Sequence, residues 1–330
     1  MAEITVLVGD IGGTNVRLGI ARVRPDAISV QGVKVYDARK YVSPDSVIRH
    51  YLEAKPEAIV IGVAGPVVEN VATLTNLGWT LSAGELSRIF KIPVYLLNDL
   101  QACAYGVLAA PSSSLVTLND AEPKPGNKAV IAAGTGLGEA GMFWDGQQHQ
   151  PWACEGGHCD FAPRSELDVE LYFYLRKKFV HVSWERVLSG PGLVNIYHFL
   201  KFEKKMPDSL ELDVQTESMD LPAKISAAAL ANSSPTAVLA LELFCKYYAA
   251  EASNLALKTM ALGGVYLAGG IAPKILPFLK KPSFIAEFTN VGRLSQLLEA
   301  IPVYVIVDEL IGLVGAAAFV QRKLRKQKPF

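Results

Sequence analysis

Two glycine-rich turns, each directly after a short apolar run, constrain the fold of this chain more than any other feature. The first turn follows residues 4–8 and the second follows residues 130–133. Their sequences are Gly9-Asp10-Ile11-Gly12-Gly13-Thr14-Asn15 and Gly134-Thr135-Gly136-Leu137-Gly138. Because glycine has no Cβ, backbone N–H groups at such turns can crowd around an anion. A pair of these turns predicts a nucleotide held between two lobes.

The residues after each turn separate it from the commonest nucleotide-binding loops. Apolar Val16, Leu18 and Ile20 stand at every second position, which predicts a strand rather than a helix. Walker and dinucleotide-binding loops open a helix instead, and neither of their glycine signatures is present at this turn. We therefore predict a hairpin. The second turn leads into an apolar run that Asp145-Gly146, a common hairpin dipeptide, closes. Each half of the chain thus begins with the same predicted pattern of strand, glycine turn and strand.

The N-terminal third alternates strand patterns with helix patterns, which predicts an α/β fold. The predicted strands are 4–8, 16–21, 58–63 and 94–97, and the predicted helices are 45–53 and 82–90. Ser82 and Glu85 form a capping-box sequence at the start of the second helix. Later in the chain we predict strands at 265–268 and 302–307, a helix from Pro273, and a packing helix at 310–318. The last one contains Gly312 and Gly315, which permit close approach of another backbone.

Length and charge exclude several classes of function. The 330 residues favour two domains, and 32 basic residues balance 32 acidic ones, so charge gives no reason to expect nucleic acid or an anionic membrane as partner. No stretch approaches the roughly 20 apolar residues of a membrane span, and no secretory signal is evident. We expect a cytoplasmic protein. The four cysteines lack Cys-x-x-Cys spacing and are expected to be free thiols.

Asn98 and Asp99 stand directly after the apolar strand, where ligands bind in α/β sheets. Because Asn and Asp are also favoured helix caps, the local sequence supports a capping role equally well. The two phosphate-sized turns elsewhere favour Asp99 as a catalytic residue.

Further along the chain, Glu155 and His158 flank two glycines that allow a close ligand approach. With Asn98, Asp99 and Glu185 they supply the donors and acceptors that a polyhydroxylated molecule needs. Glu185 could equally begin a capped helix, and its spacing gives no reason to place it near the others.

Taken together and in order, these motifs resemble bacterial-type glucokinases, and the match covers nearly the whole chain. The motifs are the two glycine turns, Leu97-Asn98-Asp99, Glu155-Gly156-Gly157-His158, residues 185–193 and Ala268-Gly269-Gly270-Ile271. That family belongs to the sugar kinase, Hsp70 and actin superfamily. The resemblance implies a two-domain actin-like ATPase fold of the ribonuclease H-like type, with a cleft between α/β domains 1–108 plus 309–330 and 109–308. A cysteine-rich zinc motif of related sugar kinases is missing, which favours the zinc-free glucokinases.

The resemblance also implies a role for each motif. Asp99 would be the general base that helps ATP phosphorylate the 6-hydroxyl of glucose, and Asp10 would contact Mg²⁺, through water. Glucose would be bound by Asn98, Asp99, Glu155, His158 and Glu185. ATP would be bound by Gly9, Asp10, Ile11, Gly12, Gly13, Thr14, Gly134, Thr135, Gly136, Gly138, Gly269 and Gly270. A homodimer is implied as well, and we predict closure of the domains on sugar about hinges near 106–110 and 307–312.

Several points stay open at this stage. Glu139 would repel phosphates unless its side chain points away or reaches Mg²⁺ through water. The polar residues 204–220 match no motif. The phosphoryl donor could be ATP, ADP or polyphosphate. A kinase for another hexose or an amino sugar, and a non-catalytic sugar sensor on the same fold, are the alternative functions.

Overall fold

The structure is a computed structural model that describes residues 3–207 and 220–326. Its β-strands form two large sheets and one two-stranded ribbon. The strands are β1 Ile4–Ile11, β2 Asn15–Val23, β3 Ile28–Asp37, β4 Ala58–Val63, β5 Val71–Leu74, β6 Trp79–Ser82, β7 Val94–Asn98, β8 Leu115–Thr117, β9 Lys128–Ala133, β10 Leu137–Trp144, β11 His149–Cys154, β12 Val265–Ala268 and β13 Val303–Ile306.

The α-helices cover the faces of these sheets. They are α1 Pro44–Tyr51, α2 Ala83–Phe90, α3 Asp99–Ala109, α4 Glu166–Arg176, α5 Gly190–His198, α6 Leu221–Leu230, α7 Pro235–Thr259, α8 Leu276–Leu279, α9 Pro282–Thr289, α10 Ser295–Glu299 and α11 Ile311–Lys326. Among the described residues, no single helix could cross a membrane, and α6 and α7 reach the required length and composition only as a pair bent by 101°.

The two large sheets repeat one arrangement. The first has the order β3-β2-β1-β4-β7 and the second has β11-β10-β9-β12-β13, with β8 added at its edge. The equivalent strands are β1 and β9: each forms an antiparallel hairpin with the next strand in the chain and a parallel pair with the strand on its other side. The α/β fold and the two hairpins are confirmed. The two glycine turns occupy equivalent places: the first joins β1 to β2, and the second joins β9 to β10.

Helix α3 lies between the two sheets. Its Ala102 packs with β1, β4 and α11, whereas its Leu100 and Cys103 pack with β9, β10 and β12. The approach of α3 to α11 is so close that a Cβ on Gly315 would overlap the Ala102 carbonyl. The division of the strands favours the domain limits given above, 1–108 plus 309–330 and 109–308, which stay a prediction.

Most local predictions agree with the structure. Strand 58–63 is β4, helix 45–53 is α1 with slightly different ends, and Ser82 Oγ accepts a hydrogen bond from Glu85 N at 3.3 Å at the start of α2. The four cysteines are free thiols.

Two local predictions were wrong. The helix expected from Pro273 begins only at Leu276, because residues 269–275 form turns. Gly315 makes the expected close contact, but a Cβ on Gly312 would meet nothing within 4 Å. Residues 208–219 of the polar insert lie outside the described residues.

Candidate active site

The first glycine turn is held in shape by its own half of the molecule. Gly12 N donates to Asn15 O at 3.0 Å, which closes the turn between β1 and β2. Asn76 Nδ2 donates to Gly13 O at 2.8 Å and lies so close that a Cβ on Gly13 would overlap the amide. Ala38 N donates to Thr14 O at 2.8 Å. A side chain at position 13 would therefore displace the Asn76 amide and break its hydrogen bond to the turn.

Asp10 lies near the carboxyl end of β1, directly before this turn. It stands opposite Arg17 on β2 and Gly62 on β4. Burial raises the pKa of the Asp10 carboxyl, and the charge of Arg17 offsets part of this rise. Arg17 Nη1 donates to Glu309 O at 2.8 Å, so that the guanidinium is also tied to the segment before α11.

Asn98 ends β7 and caps α3, so the capping interpretation is confirmed for this residue. Its Oδ1 accepts hydrogen bonds from Leu100 N and Gln101 N at 3.0 and 3.1 Å, and its Nδ2 donates to Gly65 O at 3.1 Å. These bonds fix the start of α3, and with it the position of the neighbouring Asp99.

Asp99 is the first residue of α3, and its Oδ1 accepts a hydrogen bond from Leu100 N at 2.8 Å. Burial raises the pKa of the Asp99 carboxyl to about 7, and the charges of Asp10 and Glu155 add to the rise. The carboxyls of Asp10 and Glu155 are thus near enough for their charges to act on Asp99. A carboxyl with a pKa near 7 can accept and release a proton at neutral pH.

The second glycine turn is held by residues from elsewhere in the chain. Gly134 N donates to Gly136 O at 2.9 Å, and Gly190 N donates to Gly134 O at 2.8 Å. Leu137 N donates to Glu185 Oε2 at 3.0 Å, and a Cβ on Gly136 would lie only 2.6 Å from the same oxygen. Glu185 sits in a short 3₁₀-helix, Trp184–Arg186. Spacing along the sequence gave no reason to expect Glu185 at this turn.

Glu155 and His158 lie beside the second turn. A 3₁₀-helix, Gly156–His158, packs on β10 so closely that a Cβ on Gly157 would overlap Leu137 O. His158 Nε2 is 3.9 Å from Glu155 Oε2, and the two side chains are 59% and 46% exposed, so both are accessible to a ligand.

The segment that carries Glu185 is attached to the one that carries Glu155 and His158. Trp184 N donates to Cys159 O at 3.0 Å, and a β-bridge joins Asp160 to Ser183. The fold therefore gathers Glu155, His158 and Glu185 in one region of the second half.

Asp99 lies between the two turns. On one side, a Cβ on Gly62 would be 3.5 Å from Asp99 Cα, next to Asp10 and the first turn. On the other side, Leu100 fills the space that a Cβ on Gly138 would need. Asp99 is thus next to the first turn, and the residue after it, Leu100, contacts the end of the second.

Gly269 and Gly270 follow β12 and lie alongside the second turn. Gly269 has a φ of +82°, and a Cβ there would be 2.5 Å from Ala133 O, so the position needs glycine on both counts. Both glycines are exposed. Because they lie at the end of the sheet, these glycines could contact the part of a ligand that extends beyond the second turn.

Glu139 points away from the phosphate-sized turn. Its side chain is 1% exposed, it contacts Gly156 from beneath, and its other close neighbour is Glu251 on α7. Sequence reasoning missed Glu251 and Asn76 altogether. Neither stands in a motif, and both reach the site only through tertiary packing.

Among the described residues, no cluster of three or more His, Cys, Asp or Glu side chains could hold a metal ion. Mg²⁺ is commonly bound by one or two carboxylates together with substrate phosphates rather than by a protein cage. The Asp10 carboxyl beside the first turn fits that donor set.

Comparisons with known proteins identify the family of this chain. The family model described as Glucokinase matches residues 7–323. A glucokinase of Nostoc punctiforme is 39% identical, over 94% of this chain and 97% of its own length. The crystal structure of a glucokinase from an Antarctic psychrotroph is 31% identical, with a TM-score of 0.81, over 96% of this chain and 99% of that one. A glucokinase of Balamuthia mandrillaris in complex with glucose is 26% identical, with a TM-score of 0.79, over 97% and 94% of the two chains.

Proposed function

Because this chain belongs to the glucokinase family, we propose that it transfers the γ-phosphoryl group of ATP to the 6-hydroxyl of glucose, producing glucose 6-phosphate. One observation carries the mechanism. Asp99, whose pKa is raised to about 7, lies between two glycine turns, where the charge of the exposed Glu155 acts on it.

The sugar is bound by Glu155, His158 and Glu185, with Asn98 and Asp99 beside them. The carboxylates accept hydrogen bonds from sugar hydroxyls, and His158 supplies a donor or an acceptor according to its tautomer. Since Asn98 already uses both polar ends of its side chain within the protein, its main contribution is to fix Asp99. A sugar hydroxyl that reaches Asn98 shares an atom that is already bonded.

Asp99 orients the 6-hydroxyl and accepts its proton as the oxygen attacks the γ-phosphorus. The new O–P bond forms as the bond to the β-phosphate oxygen breaks, so ADP leaves and Asp99 holds the proton. Positioning and charge stabilisation supply most of the rate in such transfers, and proton acceptance adds about 10²- to 10⁴-fold.

ATP is bound by the two turns and the loop after β12. Backbone N–H groups of Gly13 and Thr14 on one side and of Thr135 and Gly136 on the other face the phosphates, and Gly269 and Gly270 run along the adenosine. The N–H groups of Gly12, Gly134 and Leu137 hold the two turns in shape instead. Mg²⁺ held at Asp10 through water would neutralise phosphate charge.

Water competes with glucose as the nucleophile, and closure of the two halves on sugar would exclude it. The predicted hinge segments 106–110 and 307–312 lie where α3 and α11 meet. We further propose a homodimer in the cytoplasm, as the resemblance implies.

The test is a coupled assay with ATP, Mg²⁺ and a panel of glucose, mannose, fructose, galactose and N-acetylglucosamine. We expect a clear preference for glucose, and we expect Asp99→Asn to lower kcat by about 10²- to 10⁴-fold while glucose still binds. Asp26→Asn is the matched control, because this aspartate is 83% exposed and lies outside the site. Near wild-type turnover in Asp99→Asn would refute the assignment of the base. Activity confined to another sugar would change the substrate and keep the mechanism.

A further inference from the structure

Two carboxyl groups are buried together behind the proposed sugar site. Glu139 on β10 is 1% exposed and Glu251 on α7 is 0% exposed, and their side chains are in hydrogen-bonding contact. Two ionised carboxylates cannot hydrogen-bond to each other, because neither has a proton to donate. The contact therefore requires one shared proton.

The surroundings identify which carboxyl is ionised. Asn254 Nδ2 donates to Glu251 Oε2 at 2.7 Å, and Lys258 Nζ donates to Glu251 Oε1 at 3.4 Å. Both oxygens of Glu251 thus have donors, and the charge of Lys258 compensates one carboxylate. Glu139 Oε1 is buried, and no donor among the described residues reaches it. The shared proton is therefore on Glu139, whose carboxyl then donates a hydrogen bond to Glu251.

Few charged groups face this pair. Glu251 and Lys258 lie on α7, the thiol of Cys154 lies opposite Glu139 on β11, and Cys159 is near Lys258. Burial raises the pKa of Cys154, so that thiol stays neutral. Ile131, across on β9, is apolar. No cation besides Lys258 acts on the pair among the described residues, so a second negative charge there would be uncompensated.

The pair bears directly on the loop that carries Glu155 and His158. Glu139 Oε2 lies where a Cβ on Gly156 would stand, so the carboxyl supports the backbone of that loop from beneath. Burial and the charge of Glu251 raise the pKa of Glu139 to about 8, whereas Lys258 lowers it. The proton on Glu139 is therefore lost in mildly alkaline solution.

We propose that Glu139 is a positioning residue for sugar binding: its protonated carboxyl, bound to Glu251, holds Gly156 and thereby Glu155 and His158, and loss of this proton weakens the affinity for sugar. This inference rests on the proposed function, since it assumes that glucose binds at Glu155 and His158. Glu139 itself touches neither substrate, so its effect falls on sugar affinity rather than on the rate of phosphoryl transfer.

The test measures the dissociation constant of glucose by calorimetry without nucleotide, between pH 6.5 and 9.5. With a pKa of about 8, the protonated fraction falls from about nine-tenths at pH 7 to about one-tenth at pH 9. The wild-type dissociation constant should rise several-fold over that range, up to about tenfold, while kcat at saturating glucose rises by no more than about twofold as Asp99 becomes fully ionised.

Glu139→Gln and Glu251→Gln should both abolish the alkaline rise. The first replaces the protonated carboxyl with a permanent donor, and the second removes the competing charge, so either variant serves if the other does not fold. Glu242→Gln is the matched control on α7: this residue pairs with Lys281 and is 46% exposed, and its variant should behave as wild type.

An alkaline rise that persists in either folded glutamine variant, or a flat wild-type profile, would overturn the inference alone. A wild-type protein that binds no glucose at any pH, or whose affinity is indifferent to Glu155→Gln, would overturn the proposed sugar site and this inference with it.

Discussion

The two glycine turns have the same position in their sheets but are held by different partners. The first is fixed by Asn76 and Ala38, both within the half that contains β1 to β7. The second is fixed by Glu185, which we also propose as a ligand of the sugar. The same arrangement of strand, glycine turn and strand is therefore stabilised in two different ways. The first turn is preformed, whereas the shape of the second depends on a residue that the sugar also uses.

Of the substitutions that test this difference between the turns, removal of the Glu185 carboxylate should change the kinetics most. In Glu185→Ala, Leu137 N loses its acceptor and the sugar loses a carboxylate. A hydrogen bond to a charged group contributes about 1.5–3 kcal/mol, so we expect KM for glucose and KM for ATP each to rise by roughly 10- to 150-fold. Steady-state kinetics with each substrate varied in turn measures both constants.

The matched variant is Glu185→Gln, which keeps an acceptor for Leu137 N and loses the charge. It should raise KM for ATP much less than Glu185→Ala does. A folded Glu185→Ala enzyme with normal KM for ATP would contradict the coupling, and the two turns would then be equivalent in function.

A pH profile tests the residue between the turns. Asp99 must be ionised to accept a proton, and burial and Asp10 raise its pKa to about 7. Below that pH, kcat/KM for glucose should fall by about tenfold for each pH unit. Because Asp10 adjoins the first turn, Asp10→Asn should move this acidic limb to lower pH, in addition to slowing the enzyme. An acidic limb centred near pH 4 in the wild type would argue against the raised pKa.

The sequence predicts those parts of the site that depend on local geometry. The first hairpin follows from a glycine turn and the apolar residues at every second position after it, and the second from a glycine turn and the apolar run that Asp145-Gly146 closes. Asp99 follows from its place after a strand. The direction of Glu139 needed one structural fact in addition, because neighbouring residues of a strand point to opposite faces but the sequence does not say which face is which. Gly138 faces Leu100 on α3, so Glu139 must face the other way.

Other parts follow only from tertiary packing. The contact between Glu185 and Leu137 joins residues 48 positions apart, and no period links them. Helix α7, which carries Glu251, was not predicted because it is buried on nearly every side and so lacks the polar face that marks a surface helix. The start of α8 was misplaced because proline suits the first turn of a helix at position 273 as well as at 277.

Asn76 provides the complementary test at the first turn. In Asn76→Ala, Gly13 O loses a neutral hydrogen bond, which is worth about 0.5–1.5 kcal/mol, so KM for ATP should rise by roughly 2- to 12-fold. The dissociation constant of glucose, measured by calorimetry, should stay as in wild type, unlike that of Glu185→Ala. Equal losses for both substrates would mean that the first turn is coupled to the sugar as well.

The smallest expected effect on substrate binding concerns the contact between α3 and α11, which acts first on the stability of the fold. Gly315 on α11 abuts Ala102 and Gly106 of α3, the helix that lies between the two sheets. Because a Cβ there would overlap backbone atoms, Gly315→Ala should destabilise the fold by about 1–3 kcal/mol. Gly312→Ala, on the same helix with open space around it, should instead stabilise it by about 0.5–1 kcal/mol.

Thermal unfolding should therefore show melting temperatures that move in opposite directions. Activity adds a second measurement. A Gly315→Ala enzyme that keeps its fold but spreads α3 and α11 apart should lose affinity for ATP, because both turns must reach the same phosphates. If its melting temperature falls while KM for ATP is unchanged, the helix contact stabilises the fold without setting the spacing of the turns. The two turns would then find their distance only when the substrates bring the halves together.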